Sequence, residues 1–564
     1  LQVVYPKPDH ETTAQQIFFI GTAPPNQPVW LNDQLIENRS PAGHFAPSMP
    51  LQLGENTFTL RSQTETVTLK ITRKAGQTPV PTDLGDLKAA SETLFPTSAV
   101  AYLPNEPICF STLAPAQATV KVTLADQTLA LQPQAAIQLP ANSAVLTGRA
   151  DQSESQPGTY SGCGLWSRIG NLGQPQYQIT LNGQTQNVTA KGGVTILNPT
   201  QPEVIAVTAE AGVTRTGPST DFSRLTPLPQ GTRARVTAQD GDWIRLDYGA
   251  WMRRSETETL PDAPPPRSII RGITSRVTPQ WTELVLPLQV PVPVSLQQQD
   301  NRITLSLYNT TAQTDTIKLV QNPVIAGLEW QQPNPDRIDY HLQLKQAQAW
   351  GYTLRYEGNR LILALRHSPE RASRSRPLQG ISIFLDAGHG SSEDLGSVGP
   401  TGLPEKDVTL ILTKLLRDRL TQRGATVILT REGDQDLWPN DRAAMIAKTQ
   451  PNIALSLHYN ALPDDGDALH TQGVSAFWYH PQAQSLARFL HDYLTRTLKR
   501  SSDGVTWNSL ALTRPSVAPS VLLELGYMIN PIEFEWIRDP QQQRRLADAL
   551  ADGISQWLQQ AQAH

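Results

Sequence analysis

The sequence predicts a multidomain protein: four N-terminal all-β modules, sandwiches and a small barrel, followed by one C-terminal α/β domain. Three observations carry this. The chain has 564 residues, whereas single hydrophobic cores stop growing at roughly 250–300. Proline is frequent, 46 residues of which 36 precede residue 381, and charged residues make up only 17%, against about 25% in an average soluble protein. That composition describes β-rich modules on stiff linkers, not a disordered chain, which needs high net charge and few apolar residues. Finally, a period-two alternation of apolar and polar residues runs through the first 367 positions. After Gly380 it gives way to strands alternating with helical stripes.

Residues 1–75 hold short alternating runs at 16–20, 29–31, 57–60 and 66–71, separated by turn signals such as Ala23-Pro24-Pro25-Asn26. The expectation is a small antiparallel sandwich, and 76–86, with two prolines and two glycines, is a linker. Residues 87–199 repeat the pattern at 118–124, 128–131, 177–181 and 188–190, with Asn182-Gly183 as a two-residue hairpin signal, so a second sandwich is expected. It contains both cysteines, Cys109 and Cys163. They are too few for a zinc–thiolate site. A disulfide formed in an oxidising compartment is the expectation, and two buried free thiols are the alternative.

Residues 202–256 form a compact set of about five short strands, including 231–236 and 243–246. This unit resembles bacterial SH3-like domains, small barrels often found beside cell-wall enzymes. Trp243, Tyr248 and Trp251 are then either ligand-binding aromatics or core. Residues 267–367 contain an internal repeat with a register of 58: Leu284, Leu286, Leu296, Asn301, Arg302, Leu305 and Leu307 recur as Leu342, Leu344, Leu354, Asn359, Arg360, Leu363 and Leu365. Two such halves bury a shared core that neither buries alone. The region resembles the AMIN domains that direct some envelope enzymes to peptidoglycan or the septum. Proline-rich 260–266 and Ser/Arg-rich 367–379 are its flanking linkers.

In 378–562 strand runs are expected at 381–385, 426–429, 453–457, 474–478 and 520–525, and helices at 405–423, 441–448, 484–498 and 541–559. The helical stripe of the first is Val408, Ile411, Leu412, Leu415, Leu416 and Leu420, closed by Gly424. The order implies a mostly parallel sheet, with functional groups at strand ends and helix starts.

Four groups stand at such places. His389 follows the first strand in Asp386-Ala387-Gly388-His389-Gly390, Glu405 opens the first helix, and His458 ends a strand in Ser456-Leu457-His458-Tyr459-Asn460-Ala461. Glu524 lies in Leu522-Leu523-Glu524-Leu525-Gly526-Tyr527, a run otherwise apolar enough to be buried. Two histidines and a glutamate are the ligand set of many catalytic zinc sites, and a carboxylate in an apolar strand, its pKa raised by burial, suits acid–base work. Taken singly, three have an ordinary structural explanation: a turn histidine, a satisfied core histidine, a helix-dipole glutamate; Glu524 is the hardest to explain so, since carboxylates are almost never fully buried unpaired. The weight lies in the four together.

These strings, D-A-G-H-G (386–390), G-L-P-E-K-D (402–407), S-L-H-Y-N-A (456–461) and L-L-E-L-G-Y-M-I-N (522–530), resemble the zinc-dependent N-acetylmuramoyl-L-alanine amidases of the amidase_3 family, in family order and over about 180 residues. The resemblance implies zinc bound by His389, Glu405 and His458, with Glu524 as catalytic acid/base. The implied reaction is hydrolysis of the amide between the lactyl group of N-acetylmuramic acid and L-Ala of the stem peptide. Ala387 stands where the family usually has Pro, and Tyr459 where a small residue is common. Arg514 and Asn460 are candidate substrate contacts. Some relatives carry a helical insertion after the second histidine that blocks zinc; here 462–472 is too short for one, so no self-inhibition of that kind is expected.

Peptidoglycan is thus the expected partner, with envelope proteins as further partners through the β modules. A net charge of −4 provides no basic field for nucleic acid, and no segment approaches the roughly 18 apolar residues of a membrane span. The first residue is Leu1 rather than Met, so a processed or trimmed form is expected; the resemblance implies a secreted protein of the periplasm or cell envelope, with any signal peptide not in this chain. A zinc carboxypeptidase acting on wall peptides and an inactive wall-binding scaffold are the competing readings.

Overall fold

A computed structural model describes residues 1–76, 80–85, 92–148, 154–370 and 375–562. Parts of the expected linkers 76–86 and 367–379 lie outside the described residues.

In the first module, period-two runs become a three-stranded sheet (Gln2–Tyr5, Ile20–Thr22, His44–Phe45) and a five-stranded one built on the Gly54–Ser62/Glu65–Arg73 hairpin. Phe19, Phe45, Phe58, Leu60 and Ile71 fill the space between. The pairing is not wholly antiparallel, because His10–Thr12 runs parallel to Glu65–Arg73.

The second module centres on a six-stranded sheet in which Pro107–Leu113 pairs with Glu154–Leu165. Cys109 and Cys163 are cross-strand partners there and are disulfide-bonded, S–S 2.11 Å; both are exposed rather than buried. The boundary near residue 200 is not a break in the sheet. Val100 and Ala101 pair with Asp240 and Gln239, so strands from both sides of it form one nine-stranded sheet.

The next boundary is bridged by side chains. Ile205, Ile244 and Met252 share one hydrophobic cluster with Ile270, Leu286, Leu305 and Tyr340. Trp243 and Trp251 lie under Arg253 and Arg245, and Tyr248 packs against Tyr308 at a tilt of 36°, centroids 4.8 Å apart. In 267–367 the repeat is realised as exchanged hairpins. Ser268–Val277 and Trp281–Pro287 of the first half pair with Arg360–Arg366 and Tyr352–Glu357 of the second, and Val294–Gln299 and Arg302–Tyr308 pair with Arg337–Leu344 and Ile325–Asn334. The register of 58 therefore maps one sheet onto the other, and each repeat depends on its twin for pairing as well as burial.

The C-terminal module is a six-stranded sheet in the order 426–429, 382–387, 453–460, 520–527, 474–478, 502–507. The first four strands are mutually parallel, and Val474–Trp478 reverses direction against Ser520–Tyr527. Helices α1 (Glu405–Gln422), α2 (Pro439–Thr449), α3 (Pro481–Leu498), α4 (Pro531–Arg538) and α5 (Pro540–Ala561) cover it. On α1 the i, i+4 series Val408, Leu412, Leu416, Leu420 is fully buried, while Ile411 is 46% exposed; the apolar stripe is narrower than its composition suggests. The strand Ser502–Trp507 and helix α4 are additions to the sequence expectation. The first has little apolar alternation, and the second, at eight residues, is too short to show a period. Among the described residues no helix is long and apolar enough to cross a membrane.

The β modules fold back onto this domain. Trp350 enters its core beside Trp557, centroids 5.6 Å apart, and Tyr352 N–H donates to Ser516 O at 2.8 Å. At the other end, Phe18, Ile20 and Ala46 of the first module pack with Ala468, Tyr527 and Ile529.

Candidate active site

The parallel register sets the geometry. Asp386 pairs with Ser456, and His458 pairs with Glu524 on the next strand, so these two side chains emerge next to each other at the carboxyl ends of adjacent strands. His389 lies two residues beyond its strand in a left-handed conformation, φ 60°, unusual for a residue other than glycine, and such backbones cluster at functional sites. Glu405 is the first residue of α1.

One nitrogen of each histidine and a Glu405 carboxylate oxygen lie within 4.8 Å of one another. His389 Nε2 is 3.3 Å from Glu405 Oε2, His458 Nδ1 is 3.1 Å from Oε1, and the imidazoles stand at 82°. Glu405 is itself fixed: its oxygens accept from Ser397 N–H and Oγ (2.9 and 3.0 Å) and from Tyr459 N–H (2.9 Å). Burial pushes the Glu405 carboxyl up, but hydrogen bonds from both histidines outweigh it and hold the group below the usual carboxylate range. The site therefore contains an ionised carboxylate between two imidazoles. That donor set suits zinc, which also leaves room for water or substrate.

Glu524 differs. Its Oε2 is buried without a hydrogen-bond partner among the described residues, and burial, reinforced by Glu405 and Asp503, raises its pKa well above the ordinary value. A carboxyl with a raised pKa beside a cation site suits a group that takes up a proton and then gives it back.

Several supporting residues are invisible in the sequence. Asp394 accepts from His389 Nδ1 at 2.5 Å, which turns Nε2 toward Glu405; such partners orient metal-binding histidines. Two buried arginines hold the loop carbonyls: Arg442 reaches Asp386 Oδ1, Ala387 O and His389 O, each at 2.7 Å, and Arg431 reaches Gly388 O at 3.0 Å. On a one-dimensional reading both are ordinary surface cations. Gly388 is obligatory, since a Cβ there would lie 2.4 Å from His458 Cε1. The family departures are accommodated. Ala387 N–H donates to Thr430 Oγ1 at 3.2 Å, a bond proline could not make, and the Tyr459 ring lies in the core while its N–H holds Glu405.

Asn460 ends the His458 strand, with Nδ2 donating to Tyr527 Oη at 3.0 Å and Oδ1 accepting from Ala461 N–H. Arg514 is not brought to the centre. It precedes the start of the Ser520–Tyr527 strand, contacting Ser509 O and placing its carbonyl 2.8 Å from His480 Nε2. Four residues separate Ser520 from Glu524, about 13 Å at ~3.3 Å per residue, so Arg514 serves the opposite end of the sheet. Residues 462–472 contain no helix. The first β module grips this loop instead: His10 Nε2 meets Asp464 Oδ2 at 2.9 Å, Tyr5 donates to the same carboxylate, and Gln16 Nε2 donates to Asp465 O at 2.7 Å.

Comparison with known proteins concerns the C-terminal module. The family model described as N-acetylmuramoyl-L-alanine amidase, Amidase_3, matches residues 383–556. The chain is 32% identical over 201 residues to the germination-specific N-acetylmuramoyl-L-alanine amidase of Bacillus subtilis (strain 168), covering 33% of this chain and 82% of the relative. It is 31% identical to the probable cell wall amidase LytH of Staphylococcus epidermidis, covering 34% of this chain and 62% of that protein. Among solved structures, the catalytic domain of CwlV from Bacillus (Paenibacillus) polymyxa var. colistinus is 28% identical over 32% of this chain and 98% of its own, with a TM-score of 0.30. The chain belongs to the Amidase_3 family of N-acetylmuramoyl-L-alanine amidases.

Proposed function

We propose that the chain cuts the amide between N-acetylmuramic acid and L-Ala of peptidoglycan, with zinc held by His389, Glu405 and His458 and with Glu524 as acid/base. The supporting observation is the juxtaposition of three ligand atoms within 4.8 Å with a buried, unpartnered Glu524 oxygen on the adjoining strand. A bound zinc ion supplies Lewis acidity toward the amide carbonyl and toward water. The chain's own residues do the rest. Asp394 and Glu405 keep both imidazoles oriented, and Arg431 and Arg442 keep the Gly388–His389 turn from relaxing. Glu524 accepts the proton of the attacking water on Oε2 and delivers it to the departing nitrogen of L-Ala. One C–O bond forms, one C–N bond breaks, and the products are the lactyl carboxylate and a free stem peptide.

The substrate places the enzyme outside the cytoplasm, in the periplasm or cell envelope. The SH3-like and AMIN-like modules would bring it to the wall or to envelope partners. The test is mass analysis of peptidoglycan digested by the native chain beside Glu524→Gln. Free stem peptides from the first, and at least about a hundred-fold slower release from the second with zinc content unchanged, are expected. Release of single amino acids instead identifies a carboxypeptidase, and no release with no bound zinc identifies a scaffold.

A further inference from the structure

At the end of the sheet remote from the His–Glu–His centre, three modules meet around a cleft of about 630 Å³, within the ~300–1,000 Å³ range of small-ligand sites. Tyr479 and Trp507 form its wall on the catalytic side, centroids 5.3 Å apart and planes 30° from parallel. Trp507 is 55% exposed, and its Nε1 is spent on Tyr479 O at 3.0 Å, which fixes the ring and leaves its face free. Arg514 enters from the same side and Arg224 from the SH3-like module. From the AMIN-like module comes Gln298, whose Oε1 is buried without a hydrogen-bond partner among the described residues.

The charge in this cleft is one-sided. Among the described residues no Asp or Glu lines it, and the Arg224 guanidinium has no hydrogen bond or ion pair. Among the same residues the Arg514 side chain hydrogen-bonds only Ser509 O, and burial, with Arg224 and Arg215 nearby, lowers its pKa to about 10. Like charges around one cleft repel. An anion entering between them relieves both the repulsion and the unmet hydrogen bonds, and guanidinium forks match a planar carboxylate.

We propose that this cleft is a second binding site for the wall polymer, taking a carboxylate-bearing amino-sugar peptide. Its sugar ring lies on the Trp507 and Tyr479 faces, its carboxylate sits between Arg224 and Arg514, and an amide N–H donates to Gln298 Oε1. Aromatic faces bury the apolar side of a flat ring at little entropic cost. The inference rests on peptidoglycan being the substrate and adds a remote anchor: a strand held here stays at high local concentration while the His–Glu–His centre works on another part of it.

The test is calorimetric titration of the zinc-loaded full chain, carrying Glu524→Gln to prevent turnover, with a soluble disaccharide–tetrapeptide. Two binding events per chain are expected, one accompanied by quenching of tryptophan fluorescence. Arg224→Gln in the same background weakens that event by about ten-fold or more, the effect of losing a charge-assisted hydrogen bond. Trp507→Ala, at an exposed position, removes the quenching and serves if Arg224→Gln fails to fold. A single binding event, or unchanged binding in both variants, overturns the proposal. So does equal binding of the neutral chitotetraose, or preference for poly(glycerol phosphate). An Arg224-dependent event, with no stem peptide released by the chain that keeps Glu524, would sink the amidase reading while leaving the cleft as a glycopeptide site.

Discussion

Replacing Gly388 by alanine tests the site at its tightest point. The added Cβ would lie 2.4, 2.5 and 2.7 Å from Cε1, Nδ1 and Nε2 of His458, where ordinary carbon contacts need about 3.5 Å. The imidazole must retreat by roughly 1 Å, and a displacement of that size at a reacting group costs about a hundred-fold in rate. Retreat also lengthens the 3.1 Å contact between His458 Nδ1 and Glu405 Oε1, so one donor atom leaves the candidate cluster. The overpacking itself costs about 1–3 kcal/mol, too little to unfold a domain of this size. Zinc affinity, measured by competition with a chromophoric chelator, should fall by about a hundred-fold. Stem-peptide release at saturating zinc should fall at least as far. Gly433→Ala is the control, since nothing lies within 4 Å of a Cβ there, and it should behave as the native chain. A Gly388→Ala chain that binds zinc within about three-fold of native and releases stem peptides normally would refute the geometry of the ligand cluster.

Three further outcomes follow from the electrostatics and covalent links. Burial pushes the His389 imidazole down, but Glu405 and Asp394 outweigh it and raise its pKa from 6.5 to about 9 in the metal-free chain. A folded pKa above the unfolded value gives stability that is complete below pH 6.5 and lost as pH rises through 9. The chelated enzyme should therefore lose thermal stability over that window, a slope His389→Ala abolishes, and zinc loading at pH 7 should release about one proton from this group; a flat native profile rejects the pairing. The disulfide closes a separation of 54 residues, worth about 4 kcal/mol by loop entropy. Cys109→Ser with Cys163→Ser should bring cleavage within 92–199 to lower urea in pulse proteolysis, and an unchanged urea midpoint contradicts that value. Burial pushes the Asp464 carboxyl up, yet hydrogen bonds with Thr12, Tyr5 and His10 hold it below the usual carboxylate range. Its contribution is present above the unfolded pKa and lost as pH falls through the folded one. Asp464→Asn should thus raise amide exchange in 462–472 at pH 7 and make little difference in strong acid; equal exchange at both pH values would mean the grip is apolar.

The candidate site was unusually legible because its chemistry is concentrated in residue types that have few other reasons to stand where they do. A glutamate inside Leu522-Leu523-Glu524-Leu525 is costly unless used, and His458 and Glu405 stand at element ends, where parallel sheets expose functional groups. Asp394, Arg431 and Arg442 were not legible: an acid in a loop and two basic residues near a strand end and on a helix look like solvated surface until their partners are known. Arg514 was legible as a candidate substrate contact but not as to place: the direction of the Ser520–Tyr527 strand sets it at the end of the sheet away from the His–Glu–His cluster.

The amino-acid sequence by itself determined the local periodicities, the change from β to α/β architecture near residue 380, the 58-residue repeat and the four polar groups at strand and helix ends. These depend on neighbours along the chain and on single-residue chemistry. Only the tertiary structure decided which strands pair across the boundary near 200, that the third and fourth modules share a core, that the repeat exchanges its hairpins, and that the first module holds the loop after His458. The physical reason is that an alternating strand specifies which face it buries and not which edge it joins; the partner is chosen by contacts hundreds of residues away.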